Sequence, residues 1–271
     1  MAVRVALLRS DDPHHVWLEA QLAGRLDLVG AVVEPGAAQQ ARLWRRRRWV
    51  DGVARAYQGR RQRLTGRAAH RRRYFELSGD GAPRPTRPVP AFARVEVDWI
   101  NDERAQGAVK TMEPDVVVVC GTTIVERATL AGAPAINVHA GHLPRYRGNH
   151  GIYFAFERGD FEHIGASLHL VTPELDGGEL IEFVRPELFP HDNDEHLYCR
   201  SVEAAVLRLC DLLEEHGTGA TRRSAPQDGD AETFRHRDRT PRRELRLWLR
   251  RRLGRHPVPR LPAVEPEPWQ R

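Results

Sequence analysis

Asn137 and His139 stand two residues apart at the end of an apolar run, Ala135–His139, within segment 134–148 (PAINVHAGHLPRYRG). In an extended strand that spacing sends both side chains to the same side. A lone carboxylate, Asp176, follows 37 residues after His139 in a loop of turn residues, 174–178 (ELDGG). Asn can donate a hydrogen bond to a carbonyl oxygen, His can move a proton near neutral pH, and Asp can orient that His. Together they suit acyl or one-carbon transfer to an amine. Taken singly, Asn137 reads as a strand-end turn residue and His139 as a hydrogen-bonded core histidine.

The elements that must hold these groups are legible as short apolar runs. Val3–Leu8, Leu28–Val33, Ala93–Val97, Val116–Cys120, Ala135–His139, Ile164–Val171 and Leu180–Val184 read as strands. Between them lie a helix opened by Asp11-Asp12-Pro13 with Val16, Leu18, Leu22 and Leu26, a helix over Ile100–Thr111 and another over Ile152–Arg158. A longer helix over 194–215 carries Leu197, Val202, Val206, Leu209 and Leu213 near one face. Strands alternating with helices predict an α/β fold: a Rossmann-like, parallel-dominated sheet flanked by helices, with ligands at the carboxyl ends of the strands.

Charge is unevenly placed. The chain carries a formal net charge of +5, yet residues 42–73 hold 13 arginines against Asp51 alone, and a second arginine-rich segment spans 222–255. The remainder is net acidic, which excludes a uniformly basic nucleic-acid binder. The stretch 38–77 lacks proline and predicts one or two long helices, with Trp44, Trp49, Val53, Tyr57 and Leu64 as apolar contacts. A Pro-rich linker at 82–90 follows. The expected division is a catalytic domain over 1–216, containing that insertion, and a basic C-terminal extension over 217–271, with a helix at 241–253 and a frayed Pro-rich end.

Cys120, Cys199 and Cys210 are too few and too scattered for a disulfide scaffold or zinc motif, and Cys199 and Cys210 read as buried thiols. His142, His150, His163 and His169, taken with His139, lack a ligand spacing, so no metal site is expected. No apolar run approaches a membrane span, and a strand opens the chain directly, so a cytoplasmic protein is expected.

The sites in this order resemble the formyltransferase family that uses 10-formyltetrahydrofolate. Asn137-Val138-His139 precedes Leu143-Pro144-Arg145-Tyr146-Arg147-Gly148, the Asp176-Gly177 loop follows, and 113–121 (EPDVVVVCG) looks like the family's penultimate strand. The resemblance covers roughly residues 1–190. It implies Asn137, His139 and Asp176 as catalytic residues and 10-formyltetrahydrofolate as co-substrate. It further implies folate-binding loops at Gly121, Thr122, Thr123 and Ile124, and at Val171, Thr172, Glu174 and Leu175, while His142 and His150 flank the active-site loop. Where glycinamide-ribonucleotide formyltransferases carry a Gly-rich phosphate loop, this chain reads Arg9-Ser10-Asp11-Asp12-Pro13-His14-His15. The short tail is not expected to supply the β-barrel of methionyl-tRNA formyltransferases. The layout resembles the branch that formylates nucleotide-linked amino sugars, with a small-molecule amine as partner and a homodimer as assembly. Methionyl-tRNA remains an alternative acceptor. A second alternative is a non-catalytic RNA-binding or scaffolding protein on the same fold, using Arg45–Arg48 and Arg71–Arg73.

Overall fold

A computed structural model describes residues 3–76 and 92–264; the expected 82–90 linker lies outside the described residues. Seven strands, β1 (Arg4–Arg9), β2 (Asp27–Val33), β3 (Ala93–Glu96), β4 (Val116–Cys120), β5 (Ala135–His139), β7 (Ala166–Leu170) and β8 (Leu180–Val184), form one sheet in the order β3-β2-β1-β4-β5-β7-β8. The pairs from β3 through β5 are parallel, whereas β7 is antiparallel to both β5 and β8. A small parallel pair, β6 (Arg147–Gly148) with β9 (Thr233–Phe234), lies apart.

The strands are continuous apolar runs because both faces of the sheet are covered. Val5, Leu7, Val116, Val118, Ile136 and Val138 pack on one face against α1 (Pro13–Arg25) and α7 (Asp194–His216). Ala6, Leu8, Val117 and Val119 alternate to the other face, against Val109 and Met112 of α5 (Glu103–Met112). Each such valine, leucine or isoleucine contributes about 1.5–3 kcal/mol by leaving water. Cys120, Cys199 and Cys210 are buried free thiols. The helix expected from Ile100 starts at Glu103, because the Asp102 carboxylate caps it by accepting from Ala105 N–H.

The arginine-rich insertion departs from expectation. Residues 36–76 form three helices, α2 (Gly36–Arg45), α3 (Trp49–Leu64) and α4 (Arg67–Glu76), broken at Arg47 and Gly66, both with positive φ. The expected apolar contacts Trp49, Val53 and Leu64 are exposed. α3 turns polar groups inward instead: Gln58 donates to the Arg239 carbonyl at 2.6 Å, and Arg61 pairs with Glu244. α4 does the same, with Arg67 and Arg71 on Asp194 and Glu195 at the N-terminus of α7. Partners from the C-terminal extension and α7 override the apolar spacing within the insertion.

The extension folds against α6 (Gly151–Arg158). That helix and α8 (Pro241–Arg252) share a third apolar cluster, in which Phe154, Phe156, Phe234, Leu247 and Val258 are buried. The end expected to fray is held as far as it is described, through bridges Leu188–Leu261 and Arg185–Val264. Among the described residues no helix is long and apolar enough to cross a membrane.

Candidate active site

β5 runs between β4 and β7, and delivers Asn137 and His139 from its last three residues. The Asn137 amide nitrogen lies 2.9 Å from His169 Nε2. His169 Nδ1 lies 2.8 Å from the Leu170 carbonyl, which only accepts, so Nδ1 carries the proton and Nε2 accepts from Asn137. Burial pushes His169 down to about 4, which keeps it neutral in this role. The neutral ring thereby orients the Asn137 amide.

His139 is buried at 7 % exposure. Its Nε2 donates to the Tyr146 carbonyl at 2.8 Å, and its Nδ1 lies 3.5 Å from Asp176 Oδ2. With Nε2 protonated, a proton on Nδ1 makes an imidazolium, and Asp176 faces that proton. Asp176 also accepts from Gly148 N–H at 2.7 Å through Oδ2, while its Oδ1 is 3.7 Å from His169 Nε2. Asp176 adopts φ +50°, a left-handed conformation that a non-glycine residue holds only under constraint.

The constraint comes partly from the extension. Gln227 donates to the carbonyls of Asp176 and Gly178 at 2.8 and 2.6 Å and accepts from Arg147 at 2.8 Å. The β6–β9 pair holds the same loop from below: Gly148 has φ +81°, and a Cβ there would sit 2.2 Å from the Phe234 carbonyl oxygen. Ser167 donates to Gly141 O at 2.8 Å and accepts from Leu143 N–H at 3.1 Å, securing the start of the loop. Sequence reasoning missed His169 as Asn137's partner, and missed Gln227 altogether. His169 had a partial signal, since it lies in the expected strand Ile164–Val171, which the sheet pairs with β5; Gln227 had none.

The two expected folate-binding segments flank β5. Gly121 is exposed with φ +71°, Thr122 and Thr123 are half-buried, and Ile124 is exposed. Thr123 is committed to Glu34 through its N–H at 2.8 Å and its hydroxyl at 3.0 Å. Val171 and Thr172 are half-buried, while Glu174 and Leu175 are exposed. Val171 N–H donates to the Ala135 carbonyl at 2.9 Å, so this loop starts at the opposite end of β5 and returns to it at Asp176. Exposed apolar side chains on both segments, Ile124 and Leu175, suit a flat aromatic ligand.

His142 packs against His163 and Phe183, and burial pushes it down to about 4. His150 opens α6 in a left-handed conformation, 3.2 Å from His236 of the extension, and burial holds it well below the usual histidine range. The histidines considered for a metal at the sequence level form no cluster of ligating atoms among the described residues. The one group of three within ligating reach there is Asp12, His14 and His15, at the carboxyl end of β1.

A family model described as formyl transferase matches residues 75–211, half of the chain. Phosphoribosylglycinamide formyltransferase of Escherichia coli (strain K12) is 38% identical over 90 residues, 32% of this chain and 42% of that protein. Methionyl-tRNA formyltransferase of Burkholderia orbicola (strain MC0-3) is 33% identical over 128 residues, 46% of this chain and 38% of that protein. The chain thus spans about two fifths of the length of these curated relatives. Among solved structures, a sugar N-formyltransferase from Shewanella sp FDAARGOS_354 superposes with TM-score 0.50 at 13% identity, covering 86% of this chain and 76% of that one. HypX from Aquifex aeolicus in complex with tetrahydrofolic acid does so with TM-score 0.51 at 14% identity, covering 86% of this chain and 30% of that one. These likenesses establish the fold, and the family match, over the segment that carries Asn137, His139 and Asp176, establishes that the chain belongs to the formyl transferase family.

Proposed function

We propose that the protein transfers a formyl group from 10-formyltetrahydrofolate to a primary amine of a small molecule, a nucleotide-linked amino sugar. The observation that carries this reading is the convergence of Asn137, His139 and Asp176 from a strand end and a separate loop, with Asp176 3.5 Å from His139. The co-substrate supplies an activated formyl carbon on nitrogen. Attack by the amine forms the new C–N bond, and the bond to the folate nitrogen breaks as the amine proton moves to that nitrogen. Asn137 donates to the developing oxyanion, its amide held in place by His169. His139 moves the proton, and Asp176 stabilises the ring when it is charged. The segments Gly121–Ile124 and Val171–Leu175 hold the folate in this reading.

The insertion favours a small acceptor over RNA. Arg61, Arg67 and Arg71 are paired with Glu244, Asp194 and Glu195, so they are spent inside the protein instead of being presented to a phosphate backbone. Arg48 pairs with Asp51 and Arg72 with Glu76, but both guanidiniums stay exposed, as do Arg45, Arg46 and Arg47. A homodimer is the assembly this reading expects, and sedimentation equilibrium checks it.

The test incubates purified protein with 10-formyltetrahydrofolate and a panel of nucleotide-linked amino sugars, amino acids and methionyl-tRNA, read by mass spectrometry. A formyl adduct on an amino sugar, lost in Asp176→Ala, supports the reading. An adduct on methionyl-tRNA alone replaces the acceptor, and absence of folate binding overturns the reading.

A further inference from the structure

We propose that Asp12, His14 and His15 bind a zinc-class transition-metal dication beside Gly121, at the edge of the candidate folate-binding segment. One donor atom from each residue lies within 4.8 Å of the others, where the turn after β1 enters the first residues of α1. Two imidazoles and a carboxylate are a donor set that suits Zn²⁺ and its spectroscopic substitute Co²⁺.

Three observations make this more than a chance grouping. His14 and His15 are both 3 % exposed, and the Nδ1 of each is buried without a hydrogen-bond partner. Buried polar atoms are normally satisfied, and two lone ring nitrogens side by side point to an electrophile between the elements. The other nitrogen of His14, Nε2, lies 2.9 Å from the Tyr198 hydroxyl, which can accept its proton and leave Nδ1 as the lone pair. A ligating histidine is ordinarily oriented by such a partner on its second nitrogen. Asp12 precedes α1 yet makes no side-chain cap bond, so its exposed carboxylate is uncommitted to that helix.

The surroundings tolerate a cation. Two of the guanidiniums nearby are paired, Arg9 with Glu19 at 2.6 Å and Arg71 with Glu195 at 2.7 Å, while Arg55 also lies within electrostatic reach of Asp12. His15 also packs on Gly121, where a Cβ would sit 2.1 Å from His15 Cε1. A cation here ties the β1–α1 turn to the first residue of the loop after β4. Three protein donors leave a coordination position for water or an acceptor oxygen.

The experiment uses the tag-free full chain, stripped with chelator and dialysed, with Zn²⁺ titrated calorimetrically and Co²⁺ followed by visible absorption. One equivalent of Zn²⁺ is expected with roughly micromolar or tighter affinity, together with Co²⁺ bands of tetrahedral or five-coordinate intensity. Tyr198→Phe weakens binding about tenfold, and Asp12→Asn and His15→Gln weaken it further. His142→Gln, at a half-buried histidine whose Nδ1 also lacks a partner, leaves it unchanged. Circular dichroism confirms folding of each variant, and Asp12→Asn alters an exposed side chain, so at least one ligand variant keeps the fold. Absence of stoichiometric binding, or binding that survives both Asp12→Asn and His15→Gln, overturns the proposal. The readout is metal binding alone, so its failure leaves the formyl-transfer reading standing.

Discussion

Gln227 donates to the main-chain carbonyl of Asp176 at 2.8 Å, so a residue from the C-terminal extension holds the backbone of the candidate proton-relay loop. The same amide reaches Gly178 and Arg147, bridging the two loops that meet at Gly148. The extension is thereby part of the site's support. Gln227→Ala is expected to cut formyl transfer about tenfold while costing global stability about 1–3 kcal/mol. Turnover beside a denaturant titration checks this, and an unchanged turnover would show that the Asp176 loop is held by other means.

At the site itself, Asn137→Ala is expected to lower kcat about 10²–10³-fold by removing the proposed oxyanion donor. His139→Ala and Asp176→Asn should each lower it by about 10²–10⁴-fold. Single-turnover kinetics with unaltered folate binding separate these losses from a binding defect.

His169 acts through Asn137 and is a positioning residue. His169→Gln offers a side-chain amide that can still accept from Asn137 and is expected to retain more activity than His169→Ala. Parallel kcat measurements on the two variants decide whether the acceptor or the ring is what Asn137 needs.

Gly148 is fixed by close approach as well as by φ. Gly148→Ala is expected to lose about 1–3 kcal/mol from the left-handed backbone alone, with added strain against the Phe234 carbonyl 2.2 Å from the new Cβ. Thermal melts show a lowered Tm, and a melt equal to that of the parent protein would contradict the β6–β9 pairing.

Two sets of groups set the acid limb of stability. Burial pushes His142, His169 and His236 down to about 4, so the unfolded chain binds more protons than the folded one between the free histidine value and that point. Stability is therefore full above about pH 6.5 and falls as pH drops from there toward about 4. Burial by itself would raise the Asp194 carboxyl, but the Arg67 and Arg239 guanidiniums outweigh it and hold the group well below the usual carboxylate range. Its contribution is present above about pH 4 and is lost as pH falls further. Urea titrations from pH 7 to pH 3 check both windows. Asp194→Ala, which strands Arg67 and Arg239, is expected to cost about 3–5 kcal/mol at pH 7.

The sequence by itself determined the strands of the sheet and the placing of Asn137 and His139 on one side of β5. Those depend on local facts: strands buried on both faces must be apolar throughout, and side chains two apart in a strand share a side. The order and spacing of the motifs carried the resemblance to the family whose model matches residues 75–211. Tertiary structure alone decided what surrounds the site. His169 meets Asn137 because β7 returns antiparallel to β5 in a register that pairs them, and Gln227 reaches Asp176 across 51 residues of chain. The insertion's arginines looked like a solvated face or a phosphate-binding surface, but Arg61, Arg67 and Arg71 face carboxylates on α7 and α8. An ion pair between distant segments leaves no period in either one, so neither stretch shows where its charge will be spent until both are folded.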